Sequence, residues 1–169
     1  MDMQEKARGK MNWFEKILHQ IPGFKGYYEK EFRRDADRLQ REFIVKQLHE
    51  AGRSLNDAIR AVSRQKNLAL LTEYDLLAKR LQKIGNEILY ADRGYSGFFD
   101  LVKIHESELD AIYRLDGEMI ELAGRFNDEI RKMAAAPALA PRFDALADGL
   151  SQIETMFAKR ADLLKGYRE

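Results

Sequence analysis

The sequence feature that most constrains the fold is a run of mostly apolar positions spaced alternately four and three residues apart. It holds one register through Phe98, Val102, His105, Leu109, Ile112, Asp116, Met119, Ala123, Phe126, Ile130 and Met133. Such a heptad seam predicts a long helix that packs against other helices as in a coiled coil. Two seam positions, His105 and Asp116, are polar and need a separate explanation.

Three other segments repeat apolar residues at helical spacing. Together with the seam they predict four helices, over about 27–51, 54–90, 98–135 and 141–165. The Gly52-Arg53 pair reads as a break, and Ser54 as the cap of a new helix. The 54–90 segment loses phase across 64–67, where a stutter or a kink is expected. Short connections favour an all-α, antiparallel up-down four-helix bundle with coiled-coil-like packing, formed by residues 22–169 as a single domain.

A short amphipathic helix is predicted ahead of the bundle, over residues 1–21. Trp13, Phe14, Ile17 and Leu18 cluster its apolar surface among lysines and arginines, and Pro22-Gly23 ends it. One interpretation is that these four residues rest on a membrane surface or contact a partner. The other, which we favour, is that the helix packs on the bundle.

Charge and cysteine content exclude several classes of protein. The 169 residues include 29 basic and 28 acidic side chains, a formal net charge of +1, so no overall field attracts nucleic acid. The absence of cysteine excludes disulfides, thiolate catalysis and cysteine–zinc sites. The charged start has no signal-peptide pattern and no apolar run is long enough to span a membrane, so a cytoplasmic location is expected.

Two glycine–aromatic stretches share one pattern: glycine, aromatic, any residue, glycine, two aromatics, acid. They are Gly23–Glu29 and Gly94–Asp100. One interpretation is an exposed patch that binds a partner, formed by Phe24, Tyr27, Tyr28, Arg93, Tyr95, Phe98 and Phe99. The favoured one is that the glycines supply positive φ while the aromatic rings close an end of the bundle. If both turns share that end, the two sets of rings should pack together.

A densely charged run opens the predicted 27–51 helix, with signs alternating from Glu29 to Arg38. It could recognise an acidic partner. The favoured interpretation is a solvated helix face with pairs between residues four apart, which are individually weak.

No catalytic or metal-binding motif is present. A di-iron bundle needs Glu-x-x-His pairs, and the residues three before His19, His49 and His105 are Lys16, Lys46 and Val102. Neither His-Glu pair has the second histidine of a zinc protease. His105 and Asp116 could each belong to a ligand site, but polar seam residues more commonly set helix register.

The sequence therefore favours a non-enzymatic interaction or scaffolding module without a cofactor, which binds a protein partner or forms a homo-oligomer. A peripheral membrane protein that uses the N-terminal helix is the alternative. A metal- or cofactor-binding bundle enzyme is a lesser one. Nucleic acid is not an expected partner.

Overall fold

Long helices form the described part of the chain. The computed structural model describes residues 15, 17–25, 33–91, 106–136 and 142–166. Four long α-helices lie in these ranges: α1 (Arg33–Arg64), α2 (Leu68–Tyr90), α3 (Glu106–Ala135) and α4 (Phe143–Gly166). The described residues contain no strand. The prediction of an all-α helical bundle is confirmed.

Helix α1 does not break at Gly52, so the predicted end at 51 and new start at 54 are wrong. The reason is a seam that continues in register through the glycine. Its members Leu48, Ala51, Leu55 and Ala58 are all buried. A mid-helix glycine costs only about 1 kcal/mol, whereas burying one leucine gains about 1.5–3 kcal/mol.

The break lies instead at residues 65–67, where a stutter or kink was expected. Lys66 has a φ of 57°, in the left-handed region. Asn67 then caps α2, because its side-chain oxygen accepts a hydrogen bond from the Leu70 amide at 3.2 Å. The predicted 54–90 helix is therefore the second half of α1, a tight turn, and α2.

The predicted boundaries of the last two helices agree closely with the structure. Helix α3 ends at Ala135 as predicted, and α4 covers Phe143–Gly166 against a prediction of 141–165. The start that was predicted near 98 lies outside the described residues.

The helices alternate in direction along the chain, but sequence neighbours are not always neighbours in space. The most extensive packing joins α1 to α2 and to α3, and α4 to α3 and to α2. Gln47 of α1 accepts a hydrogen bond from Asn127 of α3 at 3.0 Å. Ten residues earlier on α1, Asp37 lies at the level of Asp116 on α3, because Arg160 forms an ion pair with both. Helices α1 and α3 therefore run side by side in the same direction.

A parallel pair also forms the opposite side of the bundle. The Tyr74 ring of α2 meets the Phe143 ring of α4 edge to face, with centroids 4.9 Å apart. Six residues later, Arg80 donates hydrogen bonds to Ser151 and Glu154, both at 2.7 Å. The order around the bundle is thus α1, α2, α4, α3, which leaves α1 and α4 on a diagonal.

The N-terminal residues that are described pack on this bundle. Residues 17–20 are helical and the chain turns at Pro22-Gly23, where Gly23 has a φ of 82°. Ile17, Ile21 and Phe24 are buried in the same apolar core as the four helices. This segment therefore covers part of the core.

Candidate functional site

Four charged side chains meet inside the bundle. Arg160 of α4 donates its Nε to Asp116 Oδ1 of α3 at 2.6 Å, and its Nη2 lies 2.7 Å from Asp37 Oδ1 of α1. Arg41, one turn after Asp37, donates its Nε to Asp37 Oδ2 at 3.0 Å. The four side chains are almost fully shielded from solvent. We call Asp37, Arg41, Asp116 and Arg160 the ionic core.

The ionic core also reaches α2, through its last carbonyl groups. Arg41 Nη1 donates to the carbonyl oxygens of Ile88, at 3.4 Å, and Leu89, at 3.3 Å. The final carbonyls of a helix have no partner within the helix, so a guanidinium is a suitable donor for them. All four helices therefore contribute an atom to one polar cluster.

Part of the sequence-based interpretation of these residues was wrong. The run from Glu29 to Arg38 was predicted to be solvated, yet Asp37 is 3% exposed. Asp35 and Arg38 do face solvent, with a weak pair at 3.6 Å. Burial of Asp37 follows from its position one turn before Arg41, which gives it a partner inside the protein. The pattern of alternating charges does not show which of its residues will be buried.

Asp116 lies inside the bundle, and the favoured interpretation that it sets helix register stays a prediction. Its carboxylate is bonded to Arg160, which interrupts the apolar pattern of α4. Two arginines balance two aspartates, so the ionic core carries no net charge to attract a ligand. No three histidine, aspartate or glutamate side chains of the described residues lie close enough to hold a metal ion. His105 is outside those residues.

Two buried amides add polar groups to the space between α1 and α3. Asn127 donates to Gln47 Oε1 at 3.0 Å and to Glu50 Oε2 at 3.2 Å. Gln40, one residue before Arg41, is fully buried, and its amide finds no hydrogen-bond partner among the described residues. Neither amide lines either of the two grooves described below.

Of the residues predicted to form the aromatic patch, only Phe24 lies in the described part of the chain. Phe24 is buried and meets Tyr113 of α3 edge to face, with ring centroids 6.4 Å apart. It is therefore a core residue, not part of an exposed patch. The other predicted members, Tyr27, Tyr28, Arg93, Tyr95, Phe98 and Phe99, lie outside the described residues, so the packing of the two turns together stays a prediction.

Of the four apolar residues in the predicted membrane or partner helix, the structure describes two, Ile17 and Leu18. Ile17 is buried against the bundle, while Leu18 is 37% exposed. Trp13 and Phe14 lie outside the described residues, so the membrane interpretation stays a prediction. No helix in the described ranges combines the length and apolar character needed to cross a bilayer.

The outer face of α2 carries an apolar surface that the sequence analysis did not identify. Four large apolar side chains are exposed in the described residues, and three of them are on this helix: Leu68, Leu76 and Tyr90. Leu76 directly precedes the seam residue Leu77, and Leu68 precedes Leu70. Leucines that stand beside the seam, and not in it, are the sequence signal that could have identified this surface. We call Leu68, Leu76 and Tyr90 the α2 crest.

A groove runs between α1 and α2, beside the α2 crest, with a volume of about 750 Å³. Its floor contains Leu48, Gly52 and Leu81. One wall is formed by side chains of α1 and the other by side chains of α2, namely Lys46, His49, Arg53, Lys79, Gln82 and Asn86. We call this feature the α1–α2 groove.

The electrostatics of the α1–α2 groove are cationic. Lys46, Arg53 and Lys79 face a single lining carboxylate, that of Asp75, which lies 2.6 Å from Lys79. A second groove of about 420 Å³ lies between α1 and α3, and its charged lining residues are only Glu121 and Arg125. The α1–α2 groove is therefore cationic, whereas the charges that line the second groove balance.

Comparisons of this chain with protein-family models, with curated proteins and with solved structures found no match.

Proposed function

We propose that this protein is a non-enzymatic interaction module, a helical bundle that binds a protein partner or a second copy of itself through the outer surface of α2. The observation that carries the proposal is the α2 crest. Leu68, Leu76 and Tyr90 are 75%, 57% and 70% exposed, in a molecule that buries the leucines and isoleucines of its seams. Exposed apolar side chains gathered on one element are typical of association surfaces.

The spacing of the α2 crest suits a helical or extended protein surface. Leu68 and Leu76 are about 12 Å apart along the helix axis, and Tyr90 is about 33 Å from Leu68 at 1.5 Å per residue. Tyrosine and leucine side chains at that separation cover a length typical of a protein interface and exceed the size of a small ligand. The cytoplasmic location expected from the sequence is part of the same proposal.

The proposal is tested by removing the apolar character of the α2 crest without disturbing the core. Leu68→Glu/Leu76→Glu changes two side chains that are mostly exposed already, so the unfolding transition should be retained. In light scattering, a self-associating wild type should become monomeric in this variant. A wild type that is monomeric should instead retain a protein from a cell extract of its source, identified by mass spectrometry, and the variant should lose it.

The matched control is Gln152→Glu/Thr155→Glu, which adds the same charge on exposed positions of α4, away from the α2 crest. Equal loss of association in both variants would indicate a general charge effect. Unchanged association in Leu68→Glu/Leu76→Glu would contradict the proposal.

A further inference from the structure

Gly52 has no evident role within the fold. A Cβ atom placed there would meet Leu81 Cδ2 at 3.7 Å, an ordinary van der Waals distance, so the bundle itself has room for alanine. Glycine in a helix interior is nevertheless less stable than alanine by roughly 0.5–1 kcal/mol. Because this glycine lowers stability and is not needed for internal packing, it indicates that the open side of the helix must stay clear of a side chain. The open side of Gly52 is the α1–α2 groove.

The walls of the α1–α2 groove repeat one helical spacing on both sides. On α1 the side chains are Lys46, His49 and Arg53, and on α2 they are Lys79, Gln82 and Asn86, each at positions i, i+3 and i+7. Residues at this spacing lie on one side of a helix. The groove thus has an apolar floor and two polar edges, as two helices of a coiled coil present to a third.

The length of the α1–α2 groove favours a helix over a compact ligand. Its lining on α1 extends from Lys46 to Ile59, and on α2 from Asp75 to Asn86. These spans correspond to roughly 20 Å and 16 Å of helix axis. A helix of about three turns fits that length, and a glycine on the floor lets its backbone approach closely.

The charges identify the chemistry of the occupant. Lys46 and Arg53 stand one heptad apart on α1, and Lys79 stands on the opposite edge. The pairs already present are weak or exposed: Arg53 lies 4.0 Å from Glu50, and Lys79 pairs with Asp75 on the surface. A partner with acidic residues at heptad spacing would match these cations, as charged edge positions do in coiled coils.

We infer that the α1–α2 groove is the docking site for an acidic amphipathic helix of a partner protein. The helix would set apolar side chains on the floor around Gly52 and direct carboxylates to Lys46, Arg53 and Lys79. This inference rests on the proposed function and names the kind of partner. The α2 crest would border the docked helix, because Lys79 lies between the groove and Leu76 on the surface of α2.

The probe is a fluorescent peptide of about two heptads, which matches the length of the groove, with leucine at its core positions and glutamate at its edge positions. Its binding to the full-length protein is followed by fluorescence anisotropy. One comparison peptide has lysine in place of glutamate, and another has the acidic composition with the leucines scrambled. The protein should bind the acidic amphipathic peptide, and the two comparison peptides at least roughly 10-fold more weakly.

Charge reversal in the groove supplies the decisive variant. Lys46→Glu/Arg53→Glu should weaken binding at least roughly 10-fold. Arg131→Glu/Lys132→Glu, on exposed positions of α3, makes the same change in net charge and should leave binding unchanged. Gly52→Gln, which fills the floor with a good helix former, should also weaken binding while the thermal midpoint is retained or raised.

Several outcomes would overturn the inference. The first is that the acidic amphipathic peptide does not bind. The second is that the scrambled peptide binds equally well, which would indicate a surface that attracts any anion. The third is that both charge-reversal variants lose binding equally. If any of these occurs while Leu68→Glu/Leu76→Glu still abolishes association, the proposed function stands and only the groove assignment is wrong. If association does not depend on the α2 crest but the peptide binds as expected, the groove assignment stands and the proposed role of the α2 crest is wrong.

Discussion

Asp37 and Arg160 form an ion pair across the diagonal of the bundle, with 2.7 Å between Asp37 Oδ1 and Arg160 Nη2. They lie on α1 and α4, which share no extensive packing. Arg160 also bonds Asp116 at 2.6 Å, so its guanidinium joins α1, α3 and α4 at a single point. Removing the Arg160 guanidinium should therefore lower the stability of the whole bundle.

Arg160→Met should lower the free energy of unfolding by about 3–5 kcal/mol, because it leaves the Asp116 carboxylate buried without its cation and removes one of the two that serve Asp37. Urea unfolding followed by far-ultraviolet circular dichroism measures the change. Arg38→Met, at a surface position, is the control and should change stability by less than about 0.5 kcal/mol. If Arg160→Met prevents folding, Arg160→Lys should fold with a smaller loss, since lysine keeps the charge without the fork that reaches two carboxylates. A loss below about 1 kcal/mol in Arg160→Met would contradict the prediction.

Removing Asp116 together with Arg160 should be less harmful than removing Arg160 alone. In Arg160→Met/Asp116→Leu no lone carboxylate remains on α3, and Asp37 keeps its hydrogen bond from Arg41 at 3.0 Å. Buried ion pairs replaced by apolar side chains often lose little stability. We expect the double variant to recover at least about half of the single variant's loss in the same urea experiment. A double variant that is less stable than Arg160→Met would contradict the prediction, because it would show that Asp116 stabilises the protein independently of Arg160.

The turn between α1 and α2 should respond in opposite directions to two neighbouring substitutions. Asn67→Ala removes the cap on the Leu70 amide and should cost about 1 kcal/mol. Lys66→Gly relieves a left-handed backbone and should be neutral or stabilising by up to about 1 kcal/mol, since the more flexible unfolded chain offsets part of the gain. Thermal unfolding of both variants, beside Gln65→Ala as a control, measures these changes. Strong destabilisation by Lys66→Gly would mean that the lysine side chain has a role of its own.

Two helix glycines should differ in their tolerance of alanine. Gly52→Ala should stabilise the protein by about 0.5–1 kcal/mol, because its Cβ would stand 3.7 Å from Leu81. Gly149→Ala places a Cβ 3.2 Å from Phe126 Cδ2, so that ring must shift and the helix-propensity gain should be reduced or reversed. Urea unfolding of both variants makes the comparison. Equal stabilisation by the two substitutions would show that the Phe126 ring moves freely.

Stability should fall at alkaline pH partly because of Tyr74. Burial raises the pKa of the Tyr74 phenol above its ordinary value of 10.0. Below pH 10 the phenol is protonated in the folded and unfolded chains alike. As the pH rises from there toward the folded pKa, the unfolded chain loses a proton that the folded chain retains, so the free energy of unfolding decreases.

Tyr74→Phe removes this proton and should flatten the decline above pH 10 relative to wild type. Urea unfolding at a series of pH values measures the slope, and Tyr90→Phe, at an exposed position, serves as the control. An identical slope in Tyr74→Phe and wild type would contradict the assignment.

The seams of α2, α3 and α4 could be predicted because burial in a helical bundle follows directly from apolar spacing. On α2, the residues Tyr74, Leu77, Leu81, Ile84 and Ile88 recur at alternating steps of three and four, and all are buried. The helix break was harder to place, since Gly52 and the turn at Lys66 give similar local signals. Only the continuity of the seam past Gly52 separates them.

The polar and surface features depended on contacts that a local pattern does not contain. Asp37 pairs with Arg160, which is more than a hundred residues away, and nothing in an alternating charge run distinguishes Asp37 from its solvated neighbours. The α1–α2 groove requires knowledge of which helix lies beside α1 and at what level. The order of helices around the bundle determines both, and the sequence predicts the helices better than their order.

The distribution of the ionic core between the two halves of the chain has a consequence for how the molecule assembles. Each helical hairpin contains one aspartate and one arginine that bond each other: Asp37 with Arg41 in α1–α2, and Asp116 with Arg160 in α3–α4. Each half can therefore enclose its own charges as a neutral unit before the halves meet. The diagonal pair then forms only when both hairpins dock in the correct alignment, so it selects the native docking without requiring a lone charge to enter the apolar interior.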